Sequence, residues 1–210
     1  MRKNLFRVGA PLALALSTGP LLLGQSFGAV VYDESISGDL SNSGVTPTPL
    51  TVGAGENVVL ATYGIGAAVD RDYFTFTVPS GLTLAAISIL ADQTSDPGTA
   101  FIGVQSGTQV TLPVNPPDAA GLLGWLHFTA GSGNIINDLG APAGGSSGFT
   151  PPLGSGSYSF WVQELAQGGF TYALDFQLLP AAAPDSGPGM FAFAGLFGIL
   201  ACVRKFAPAS

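Results

Sequence analysis

Through the middle of the chain, apolar and polar residues alternate with a period of two. In 72–78, Phe74, Phe76 and Val78 share one face, and Tyr73, Thr75 and Thr77 take the other. Tyr158, Phe160 and Val162 form a second such set, and Tyr172, Leu174, Phe176 and Leu178 a third, with Asp175 and Gln177 turned outward. Alternation of this kind marks strands with one buried and one wet face. Further strands are predicted over 30–36, 51–52, 57–63, 82–90, 101–105, 109–112 and 124–129. They are separated by Gly-, Pro- and Ser-containing turns such as Pro79-Ser80-Gly81 and Gly154-Ser155-Gly156. No strong amphipathic helix interrupts residues 30–180. Short strands joined by links too short for crossover helices predict an all-β, antiparallel sandwich over 30–180. The Gly-, Ser-, Ala- and Pro-rich stretch 130–156 reads as a long excursion, of the kind that is functional or mobile in a compact domain.

The two ends follow a different pattern. Arg2, Lys3 and Arg7 precede an apolar run over 8–23, and Ser26-Phe27-Gly28 forms a small-x-small cleavage site. This is the layout of a secretory signal peptide, 1–28, cut after Gly28 or after Ala29. Pro11, Gly19 and Pro20 break its apolar run, which argues against a retained anchor. At the other end, 14 consecutive apolar residues over 190–203 are followed by Arg204 and Lys205. At about 1.5 Å per residue such a helix reaches about 21 Å, against about 30 Å of hydrocarbon. Counting from Gly187 gives 17 residues, the lower limit for a span, and the basic pair can snorkel across the remainder. A transmembrane helix is therefore predicted over 188–203, with a short tail at 206–210. Arg204 and Lys205 act as its membrane stop on the cytoplasmic side.

Charge sharpens this division. Only 9% of residues are charged, and the net charge is −7. Between residues 30 and 184 Arg71 is the only cation, set against twelve acidic residues. An acidic body without a basic patch disfavours nucleic acid as a partner. The 47% hydrophobic content is enough to build a core and excludes wholesale disorder.

Pro184-Asp185-Ser186-Gly187, followed by the short apolar helix and Arg204-Lys205, resembles the VPDSG variant of the PEP-CTERM sorting signals, with Ala183 where that family usually has Val. The resemblance covers 183–205. It implies an exported protein, passed through the secretion translocon and signal peptidase and then to an exosortase-type membrane enzyme that recognises and cleaves the tail. Pro184, Asp185, Ser186 and Gly187 would be the recognised motif, and the mature chain would end at the cell surface or outside the cell.

In the body, 70–81 and the segments 153–162 and 172–178 are similar to the first strand pair and the closing hairpin of the bacterial pre-peptidase C-terminal (PPC) domain. That family is a jelly-roll-like β-sandwich of secreted proteins, used for adhesion or substrate contact. The resemblance covers the two ends of the body and little of its middle. The body also resembles exported PEP-CTERM proteins with an opening like 36–41 and segments like 101–105 and 122–125.

The residues offer little for catalysis. His127 is the only histidine, and no Gly-x-Ser-x-Gly elbow accompanies it. Glu34, Glu56 and Glu164 are the only glutamates, and each reads as a surface acid among turns or on a wet strand face. One His and one Cys, the latter (Cys202) in the apolar tail, do not make a zinc site. No catalytic residue is assigned. Calcium is the metal that the donors suit, because loop carboxylates and carbonyls provide the hard oxygens it takes. Asp70, Asp72, Asp92 and Asp96 are its candidate ligands, although Arg71 would compete for the first pair. Trp161, on the face opposite Phe160, and Trp125, near the long excursion, could stack on sugars. The expected function is a non-catalytic surface or extracellular-matrix component, in contact with extracellular polysaccharide. The alternatives are a carbohydrate- or calcium-dependent binding module and, third, a secreted hydrolase using His127.

Overall fold

The computed structural model describes residues 28–95, 98–114 and 118–182. The signal segment with Ser26, Asp96, the sorting motif Pro184, Asp185, Ser186 and Gly187, the helix 188–203, and Arg204 and Lys205 lie outside the described residues. Among those described, no helix is long and apolar enough to cross a membrane.

Among the described residues, nine strands form a curled, mostly antiparallel sheet. They are β1 (Ala29–Asp33), β2 (Thr48–Pro49), β3 (Gly55–Ile65), β4 (Val69–Val78), β5 (Leu82–Ile89), β6 (Ala100–Ser106), β7 (Gly124–Phe128), β8 (Gly156–Gln163) and β9 (Gly168–Pro180). Hydrogen-bonded neighbours follow the order β5-β9-β3-β4-β8-β6-β7. The long strands are where alternation predicts them. Two short pairings depart from the antiparallel expectation, since β1 runs parallel to β3 and β2 parallel to β4. The predicted strand 30–36 ends early. Asp33 accepts the Ser35 backbone N–H at 2.9 Å and caps a single helical turn, α1 (Glu34–Ser37). A side-chain carboxylate at this position satisfies donors that a strand would have paired elsewhere. Residues 109–112 form no strand, and the pairing expected at 51–52 falls instead at Thr48–Pro49.

The inward rows meet in a cluster of phenylalanines. Phe160 of β8 stacks on Phe74 and Phe76 of β4, with centroids 5.4 and 5.1 Å apart. Phe176 of β9 meets Phe160, Phe74 and Phe76 edge-on at 5.0, 5.7 and 5.2 Å. These rings tie the β5-β9-β3 part of the sheet to the β4-β8-β6-β7 part, which is why the sheet curls over one core. Removing a buried Phe from such a cluster costs about 3–5 kcal/mol.

The excursion 130–156 is ordered and serves that core. It contains α2 (Ile136–Gly140), and Ile135, Ile136 and Leu139 are buried in the same cluster. It also pairs along β5. Leu84 and Leu153 exchange backbone hydrogen bonds of 2.8 and 3.1 Å, and the Ile135 N–H donates to Ile87 O at 2.8 Å. α2 seats against β7 at Gly124, where a Cβ would run into the Leu139 carbonyl oxygen. Gly124→Ala should therefore lower the unfolding free energy by about 1–3 kcal/mol. Urea denaturation monitored by circular dichroism would check this, and an unchanged midpoint would show that α2 does not press on β7.

Candidate metal centre

Alternation on β4 carries further than its apolar residues. If Phe74 and Phe76 point inward, Asp72 must point inward too, and the structure leaves it 0% exposed. Glu34 of α1 and Asp39, just beyond it, converge on this carboxyl. One oxygen from each of Glu34, Asp39 and Asp72 lies within 4.8 Å of the other two. Glu34 is held in place by three hydrogen bonds. Its Oε1 accepts from the Leu40 N–H at 2.9 Å, and its Oε2 from the Thr62 N–H at 2.7 Å and the Thr62 hydroxyl at 2.9 Å. Asp70 stands beside the group and bonds the Asn42 side chain, while its buried Oδ1 has no partner.

Asp72 is poorly served by the protein. Neither of its oxygens has a hydrogen-bond partner. The Tyr172 hydroxyl is close enough to act on the carboxyl, but the pair does not reach good hydrogen-bond geometry. Arg71 offers no relief. It sits on the opposite face of β4, and its Nε donates to Gln163 Oε1 at 3.1 Å. Burial first, and then the negative charge of Glu34, push the Asp72 carboxyl up to about 9. Glu34 and Asp70 are also raised, chiefly by burial and further by the charge of Asp39. The Tyr172 hydroxyl is raised well above its ordinary value by burial and by Asp72.

Two unit charges about 4–5 Å apart repel by about 3–4 kcal/mol at an effective dielectric near 20. Three carboxylates at this spacing cannot all stay ionised without a positive partner. A proton on Asp72 is one remedy and a cation is the other. Oxygens bound to one calcium ion at about 2.4 Å lie at most about 4.8 Å apart, so these three need at most a small inward movement to share one ion. The donors are all hard oxygens, which suits calcium rather than a soft metal. Glu34 and Tyr172 also line a cleft of about 240 Å³, and Asp39 is itself exposed to solvent.

The sequence-predicted ligands are divided by this geometry. Asp72 is in the group and Asp70 is next to it. Asp92 is exposed on a 3-10 turn (Ala91–Gln93) and is not one of the three converging acids. Glu34 is not a free surface acid, and Glu164 is buried with Oε1 accepting the backbone N–H groups of Leu165 and Ala166. Glu56 pairs with Gln177 across β3 and β9. Asp39 went unrecognised as a ligand; its one signal was that an acid follows Glu34 across the glycine turn at Gly38. His127, exposed on β7, lines a separate cavity whose lining holds neither serine nor cysteine. Trp161 faces outward as expected, yet Tyr73 and Phe101 cover it, leaving it 4% exposed. Of the cleavage-site residues, Gly28 packs against Glu56, and Ala29 is the exposed first residue of β1.

Comparisons with protein-family models, with curated proteins and with solved structures find no match.

The raised carboxyls set the sign of the pH dependence. Native Asp72 holds its proton up to about pH 9, whereas an unfolded carboxyl releases it near pH 4. Between these limits the native state binds more protons than the unfolded state, so stability falls as pH rises. In chelator-treated buffer the unfolding free energy should decline from pH 5 to pH 9, by up to about 1.4 kcal/mol per pH unit. Asp72→Asn, a permanent stand-in for the protonated acid, should flatten most of that slope in urea titrations across the range.

Proposed function

We propose that this chain is an exported, non-catalytic surface or extracellular-matrix module locked by a calcium ion between Glu34, Asp39 and Asp72. The observation that carries this reading is Asp72, a fully buried carboxylate with two unpartnered oxygens and two further acids converging on it. Asp70 and the Tyr172 hydroxyl are the supporting oxygens. Extracellular modules bind calcium with dissociation constants of about 10⁻⁴–10⁻³ M, concentrations met outside the cell rather than in the cytosol. The ion would join α1 and the turn after it to β4, adding to the β1–β3 pairing and the Glu34–Thr62 hydrogen bonds that already hold the N-terminal segment.

The rest of the chain supports the same destination. The basic and apolar residues of 1–28 read as a signal for the translocon and signal peptidase, and a cut after Gly28 leaves all of β1 on the body. Pro184, Asp185, Ser186 and Gly187, with the apolar helix and Arg204-Lys205, read as the tail handed to an exosortase-type enzyme. The curled sheet is taken as a jelly-roll-like sandwich of the PPC kind. The facing rows of β4, β8 and β9 and the likeness of 70–81 support that assignment.

Calcium at about a hundred times its dissociation constant should stabilise the folded chain by about 2.7 kcal/mol, raising the melting midpoint by about 5–10 °C. Differential scanning calorimetry with calcium and with chelator reads this directly. Glu34→Gln should abolish the response, and equal midpoints in the wild type would reject the site. Mass spectrometry of the mature protein should find an N-terminus at Ala29 or Val30 and a C-terminus shortened within the tail. A chain intact through Ser210 would leave a plain membrane anchor in place of a sorted product.

A further inference from the structure

The outer face of β6, β7 and β8 carries a second group of residues, separate from the acids. Cross-strand register sets two rows there. Trp161, Gly103 and Trp125 lie side by side, and so do Gln163, Phe101 and His127. Because Gly103 has no side chain, the Phe101 ring lies over it, and a Cβ would come within 3.1 Å of that ring. Phe101 thereby stacks on Trp125 at 6.0 Å and 28°, and meets Trp161 edge-on at 4.8 Å. With Asp118, His127 and Gln163 these rings line a cavity of about 340 Å³. That volume lies in the range of small-ligand sites.

Polar groups at the cavity are unevenly used. Trp125 Nε1 donates to the Ala143 carbonyl at 2.8 Å, which fixes this indole as a face rather than a donor. Trp161 is buried and its Nε1 has no acceptor, although the residue lines the cavity. That nitrogen is itself enclosed, so a molecule in the cavity does not reach it. Gln163 receives Arg71 on its Oε1, which leaves the amide NH₂ as the group it can offer. Asp118 adds an acceptor at the rim.

We propose that this cavity binds a neutral sugar ring of an extracellular polysaccharide. A pyranose has an apolar C–H face and an edge of hydroxyls, the same division that the cavity presents. Its C–H face lies on Phe101 and Trp125. Its oxygens accept from Gln163 Nε2, and one hydroxyl donates to Asp118. The ring is neutral because Arg71 is already engaged and Asp118 repels a carboxylate, as does the acidic body as a whole. A wholly apolar side chain would leave Gln163 and Asp118 at the cavity without a partner.

The test titrates the full-length chain in mild detergent, following tryptophan fluorescence and heat of binding. The probes are cellohexaose, laminarihexaose, mannohexaose and xylohexaose, with a hexameric oligogalacturonate as the charged arm. At least one neutral hexamer should saturate the signal, and the oligogalacturonate should bind at least about tenfold more weakly. Trp125→Ala should weaken the neutral oligomer by about 30-fold. If Trp125→Ala melts below the assay temperature, Gln163→Ala decides the matter: weaker binding supports the cavity and unchanged binding overturns it. No saturation by any neutral oligomer, equal or tighter binding of the oligogalacturonate, or an unchanged affinity of folded Trp125→Ala each overturns the proposal. None of these outcomes bears on calcium, because neither Trp125 nor Phe101 belongs to the acid group.

Discussion

β4 is the strand on which the rest of this structure depends, through the strict alternation of its side chains. The register that buries Phe74, Phe76 and Val78 also buries Asp72, and the same step turns Arg71 and Tyr73 outward. A one-residue slip would move every side chain to the other face, losing the phenylalanine cluster to spare one acid. The core therefore wins, and the unfavourable burial of Asp72 is the consequence. What neutralises that carboxyl is the chemistry of the inner end of the sheet. On the outer side, Tyr73 stacks on Trp161 and Arg71 holds Gln163, so the aromatic cavity rests on the same strand.

Much of this was legible locally. The alternating segments became the long strands, and the outward turn of Trp161 was visible from its neighbours Phe160 and Val162. Asp70 and Asp72 stood out as candidate ligands, but their partners did not. Glu34 and Asp39 reach Asp72 because β1 lies parallel to β3, and a parallel contact between distant segments leaves no mark on the pattern of either. Asp33 then hides the turn, since a capping acid inside a strand-like run reads as one more polar position. Nor could the sequence show that Tyr73 and Phe101 would cover Trp161, or that four isoleucine and leucine residues in a Gly-rich stretch would fill the core. Those depend on how the sheet curls.

The acid group and the aromatic cavity differ in what they ask of the protein. The acids are set by backbone anchors, with Glu34 tied to Leu40 and Thr62 before any ion arrives. Such a group is preorganised in position but strained in charge, and a proton on Asp72 or a cation would relieve that strain. The cavity has little charge and is ordered by stacking instead. Buried charge inside and stacked rings outside are thus two solutions on the opposite faces of one strand pair.

The ordered excursion 130–156 has an effect on how copies of this chain can meet. β5 closes one end of the sheet, where an exposed ladder of N–H and C=O groups would invite another chain to add a strand. Here Gly133, Ile135 and Leu153 already occupy positions along it. That rim is shut to fibril-like growth. Cohesion between molecules at this rim must come from side chains, glycans or ions, which can be released, rather than from backbone ladders, which tend to be permanent.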